Sequence, residues 1–214
     1  MPTASVLFGD VIRSRRDARS ATAWLRTLTA DLADAYPPEE RLARFEFTQG
    51  DEIQGLLVPS ADPLRAVLRA ALHPERIEMR WVIVRGDVDP GRGPATQRSG
   101  PAFIAARERL VAAAARRERL ALVTGDPATD ELLDGIAPLL GDLLAELTAR
   151  QRQIAWLLLV EGLRRADVAE RLGVSRATIS VAADRAHLRS LGDVAGVIRT
   201  LFARTASEAA MIAT

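Results

Sequence analysis

The sequence has no cysteine, no lysine and no asparagine, and only two histidines among its 214 residues. The missing thiols exclude disulfides, thiolate nucleophiles, iron–sulfur clusters and cysteine-bound zinc. The missing lysines exclude a P-loop and a Schiff-base mechanism, both of which need a side-chain amine. His73 and His187 lie far apart and neither has metal-ligand spacing, so zinc, haem and iron–sulfur cofactors are not expected. No apolar run approaches the ~18 residues needed to cross a bilayer. The opening MPTASVLFGD has no basic region ahead of its apolar run and soon reaches Asp10, so no secretory signal is expected. A cytoplasmic protein without membrane contact is the simplest reading.

What is present is an evenly spread 48% of apolar and 27% of charged residues. That pattern argues against disorder and suits one large domain or two small ones. The net charge of +1 hides an asymmetry. Residues 1–145 carry 19 arginines against 21 acidic residues, whereas residues 146–214 carry 10 against 7. A basic C-terminal part is a mild pointer to a polyanion partner there.

Residues 4–12 read as a buried strand broken at Gly9-Asp10, and the apolar spacing of Asp17–Ala35 predicts a helix that ends at Pro37-Pro38. Phe45 and Phe47 alternate with polar residues, and Leu56-Leu57-Val58 follow a turn, which predicts a hairpin with its tip at residues 49–52. Asp62-Pro63 opens a helix and residues 78–85 form another strand. Residues 86–101, with four glycines and three prolines, are expected to be a mobile loop. A helix over 102–117 and a short strand over 119–124 complete a β-α-β-β-α-β-α-β order. That is the pattern of an α+β, ferredoxin-like sandwich with one extra unit. Residues 130–147 are helical in pattern, but Gly135, Pro138 and Gly141 predict a break. The expected division is an α/β domain over 1–127, a helical linker over 128–146, an all-α domain over 147–204 and a tail over 205–214.

The segment 147–190 carries the signals of a helix-turn-helix. Thr148 caps a first helix that Gly162 ends; Asp167–Leu172 is a short second helix; Gly173 supplies a left-handed turn residue; Ser175 caps a third helix. Ile179, Ala183 and Ala186 then point inward, leaving Arg176, Ala177, Ser180, Asp184 and Arg185 outward. Residues 148–191 hold eight arginines against four acidic residues. The block resembles the helix-turn-helix of sigma-factor region four and of response-regulator output domains. DNA is therefore the expected partner, contacted by Arg150, Arg152, Ser175, Arg176, Ala177, Thr178, Ser180 and Arg185. Arg176, at the helix start, suits bidentate reading of guanine, and Thr178 with the Ser175 backbone suits phosphate. The alternative is a three-helix bundle used for docking.

In the acidic N-terminal part, Asp10 ends the first strand and Asp51 lies at the hairpin tip. Neighbouring strands would bring these carboxylates together, as a hard divalent ion such as Mg²⁺ or Mn²⁺ requires. Gly-Asp recurs six times, so the alternative is that both residues only cap turns. Residues 4–125 resemble class III nucleotidyl cyclases: Phe8-Gly-Asp10-Val11, Gly50-Asp51, Arg80–Val88 and Gly100–Arg107 follow in the same order. The resemblance implies Asp10 and Asp51 as metal ligands and Arg107 as the transition-state arginine if the site is active. Phe47 and Phe103 stand where the family has a base-selecting lysine and an asparagine, which implies that part of the reaction machinery is lost. The whole chain resembles the SatD family of bacterial proteins in Gly9–Arg15, Thr48–Gly55 and the C-terminal helix-turn-helix. Together these resemblances imply Gly9, Gln49, Gly50, Glu52, Gln54 and Arg107 as a nucleotide-binding set. The expectation is a homodimeric DNA-binding regulator with a nucleotide- and metal-sensing domain. A cyclase or related phosphoryl-transfer enzyme, and an interaction module with a decayed site, are the other readings.

Overall fold

The computed structural model describes residues 1–13, 17–47 and 51–212, with side chains to residue 204. Strand β1 (Thr3–Val11) leads to helix α1 (Ala18–Ala35), then β2 (Arg41–Phe47), β3 (Glu52–Leu57), α2 (Leu64–Leu72), β4 (Met79–Asp87), α3 (Pro101–Arg116) and β5 (Leu120–Val123). The element order is the one the periodicities predict. The sheet runs β2-β3-β1-β4-β5, antiparallel except for the parallel β4–β5 pair. Its first four strands have ferredoxin-like order, so the fold is α+β. The hairpin tip lies partly outside the described residues.

Strand alternation divides the core between the two faces of the sheet. Leu7, Val11, Ile53, Trp81 and Ile83 face α1 and α2, where Trp24, Leu25, Leu28 and Val67 meet them. Val6, Phe8, Val82 and Val84 face α3, against Ala102, Phe103, Ala106 and Leu110. Asp17 caps α1 by accepting the Ser20 N–H at 2.9 Å, and Asp62 accepts the Leu64 N–H at the start of α2.

Four expectations are corrected. Strand β1 runs unbroken from Thr3 to Val11, without the break expected at Gly9-Asp10. The loop over residues 88–100 is anchored at several points. Val88 and Ala95 are fully buried on the α3 side, Thr96 hydrogen-bonds Glu46, and the Asp89 and Ser99 strands of the loop are bonded to each other. The glycines and prolines there set a turn path, and apolar burial holds it. Residues 127–146 form one helix, α4, instead of two pieces. Its buried stripe Leu133, Ala137, Leu140 and Leu144 offsets the cost of Pro138. A side chain at Gly141 would stand 3.0 Å from the Arg119 Cβ, so this glycine permits close approach to β5. Finally, the last helix, α8 (Leu188–Ile212), continues through most of the segment expected as a tail.

The C-terminal part consists of α5 (Ala149–Ala155) with a π-helical turn over Trp156–Val160, α6 (Arg165–Arg171), α7 (Arg176–Arg185) and α8. Its buried residues Ile154, Val168, Ile179, Leu191 and Ile198 belong to the same apolar cluster as α1, α2 and α4. Among the described residues, no helix is long and apolar enough to cross a membrane.

Candidate ligand groove and nucleic-acid interface

Sheet register determines which of the predicted N-terminal residues meet. Asp10 stands opposite Glu52 on β3 and Arg80 on β4, and Phe8 opposite Gln54, so all five side chains share the α3 face. Arg80 donates to Asp10 at 3.1 Å and to the Glu118 carbonyl at 2.9 Å. Glu52 is buried and accepts from both amino groups of Arg107, one of them at 2.8 Å, and from the Gln54 amide at 2.7 Å. The Arg107 guanidinium lies over the Phe8 ring, 4.6 Å from its centroid. Burial, with repulsion from Asp51 and Glu52 only partly offset by Arg80, pushes the Asp10 carboxyl up to about 6. Beside this strip opens a groove of about 700 Å³, lined in part by Phe8, Gln54, Thr96, Arg98, Phe103 and Arg107.

Gly9 belongs to the opposite face. A Cβ there would lie 2.8 Å from Ile53 Cγ2 and 3.0 Å from the Trp81 ring, so its glycine serves core packing and faces away from the groove. Gln49 and Gly50 lie outside the described residues. The two phenylalanines also separate: Phe103 packs toward Phe8 with ring centroids 6.0 Å apart, whereas Phe47 packs against the α1–α2 core. Among the described residues no group of three histidine, aspartate or glutamate side chains gathers to hold a metal ion. Sequence reasoning missed Arg80, Thr96 and Arg98. Alternation in β4 marks Arg80 as a candidate only when its register with Asp10 is known.

The C-terminal geometry follows from its caps. Thr148 accepts the Gln151 N–H while the Gln151 side chain accepts the Thr148 N–H, a complete capping box. Gly173 takes the left-handed conformation at φ +64° between α6 and α7. Ser175 Oγ accepts the Thr178 N–H at 3.1 Å and starts α7. Ile179, Ala183 and Ala186 are buried; Ser175, Arg176, Ala177, Thr178, Val181, Asp184 and Arg185 are exposed. Residues 140–190 match the KORA family model, the TrfB plasmid transcriptional repressor. The KORA match covers roughly a quarter of the chain, from the end of α4 through α7. It supports a DNA-binding helical domain at this end. A comparison with curated protein sequences finds no significant match.

Within the KORA-matching segment the predicted contact residues differ in placement. Arg150 is exposed and donates to Gln153. Arg152 turns back instead, donating to the Leu147 carbonyl at 2.8 Å with its Nε buried. Ser180 is half-buried and accepts from Arg165 at 3.2 Å. The segment meets the α/β half in part through an aromatic cluster: His73 lies between Trp24, tilted at 59°, and Trp156, edge-on at 80°, with centroids 5.0 and 5.3 Å away, and Arg69 covers Trp156. Trp24 and Trp81 are core residues as expected; Trp156 is half-buried at this junction.

Proposed function

We propose that this protein is a homodimeric DNA-binding transcriptional regulator whose α/β half senses a nucleotide in the groove beside Arg107. The observation that carries the reading is the exposed, Ser175-capped start of α7 inside the segment that matches a transcriptional repressor. The first turn of such a helix presents N–H groups to phosphate, and Arg176 there can pair with guanine. Eight arginines over residues 148–191 neutralise only a few phosphates, so useful affinity calls for two copies on half-sites about one DNA turn apart.

The groove offers a nucleotide two guanidinium groups, Arg98 and Arg107, above a floor that includes the buried Phe8 and Phe103. Asp10 and Asp51 fit a Mg²⁺ or Mn²⁺ ion brought by the phosphates, because such an ion keeps waters and needs few protein ligands. That ion would neutralise charge between phosphate and carboxylate. The engagement of Arg107 by Glu52 and the placement of Phe103 on Phe8 favour a sensor over a cyclase.

Fluorescence anisotropy with selected and random duplexes at low and high salt tests the DNA reading. The wild type should prefer the selected duplex and lose affinity as salt rises. Arg176→Ala should relax that preference by ~1–3 kcal/mol, and Arg150→Ala should weaken binding to every sequence alike. Arg152→Ala should lower thermal stability and leave the salt slope unchanged. A wild type without sequence preference or salt sensitivity would sink this reading. Calorimetry with ATP and GTP, with and without Mn²⁺, tests the groove; uptake must be lost in Arg107→Ala.

A further inference from the structure

The face of α7 opposite its buried residues has an apolar centre. Ile179, Ala183 and Ala186 define the inward side. At 3.6 residues per turn, the positions most nearly opposite are Ala177 and Val181, one turn apart, with Asp184 following. Ala177 is exposed and Val181 retains 49% of its accessible surface. The polar groups at this centre are engaged within the protein. Arg165 of α6 donates to Ser180 at 3.2 Å and pairs with Asp184 at 3.6 Å. That pairing sets a cation beside the one carboxylate on the face, whose side chain stays 72% exposed. Arg176 and Arg185 flank the patch.

At Ala177 and Val181 the helix has no donor or acceptor for a base edge. The major groove displays one apolar group, the C5-methyl of thymine. We infer that Ala177 and Val181 read thymine methyl groups at the centre of each half-site, with Arg176 supplying a hydrogen-bonded contact at its edge. This deepens the DNA-binding reading and rests on it.

Replacing thymidine by deoxyuridine removes only the methyl group and leaves base pairing intact. With the full-length chain and a duplex obtained by selection, single replacements are compared by anisotropy. At one or two central positions per half-site, deoxyuridine should weaken wild-type binding about three- to fivefold, the scale of one buried methyl. Val181→Ala, an exposed position that leaves the core intact, should bind thymidine and deoxyuridine duplexes alike at one of those positions. Equal wild-type affinity for all replaced duplexes overturns the inference, as does an undiminished methyl effect in Val181→Ala. Sequence preference without methyl sensitivity overturns this inference alone, whereas absence of any sequence preference overturns it together with the regulator reading.

Discussion

Asp10 shows how a neighbourhood sets a residue's chemistry. Burial and the nearby Asp51 and Glu52 hold its carboxyl at about 6, against 3.8 for an ordinary aspartate. The folded protein therefore retains a proton on Asp10 that the unfolded chain has released between those values. Stability should fall as pH rises from ~4 to ~6 and stay lower above that window. Asp10→Asn removes the ionised form. It should be more stable than the wild type by ~1–3 kcal/mol at pH 7, the upper end being the full shift and the lower end allowing for solvent screening, with no difference near pH 4, as read by urea denaturation. A gain of equal size at both pH values would show that charge is not the cause. A cation at Asp10 would have to compete with Arg80, which already pairs with that carboxylate. Arg152 carries the reverse lesson: a cation predicted to face DNA is used to tie down the start of its own helix.

Helix α4 joins the two halves and depends on one glycine. A Cβ at Gly141 would stand 3.0 Å from Arg119 Cβ and 3.1 Å from the Leu120 backbone nitrogen, whereas one at Gly135 meets nothing within 4 Å. Gly141→Val should lever α4 away from β5 and cost ~1–3 kcal/mol. Gly135→Ala, on an exposed helical position, should stabilise by ~0.5–1 kcal/mol. Chemical denaturation of the two variants measures the contrast, and equal effects would remove the packing explanation. The helix termini tell a different story. Their caps at Asp17, Thr148 and Ser175 each satisfy N–H groups through a side chain one turn away.

Across the whole molecule, one apolar cluster runs from β1 and α1 through α4 to α8. The packing of His73 between Trp24 and Trp156 adds a contact between the α/β half and the helical half. Unfolding should therefore be a single transition, coincident by tryptophan fluorescence and far-ultraviolet circular dichroism. Two separated transitions would show that the halves fold independently. The helix-turn-helix cannot shift without disturbing residues that pack on α1, α2 and α4, whereas the groove lies on the other face of the sheet, over the separate cluster that contains Phe8 and Phe103.

The order of strands and helices, the caps at Thr148 and Ser175, the Gly173 turn and the inward set Ile179, Ala183 and Ala186 were legible in the residues alone. Each depends on a period of two or 3.6, or on a side chain reaching its own backbone, so a few neighbouring letters suffice. Other features came only from tertiary structure. Gly9 faces the Trp81 core rather than the groove, Val88 and Ala95 hold down a loop rich in glycine and proline, and α4 continues through Pro138. Glu52 gains Arg107, and Asp10 gains Arg80, across sequence separations of 55 and 70 residues. Register decides which side chains share a face, and burial decides which charges must find partners. Both arise from contacts between distant segments, which local periodicity does not encode.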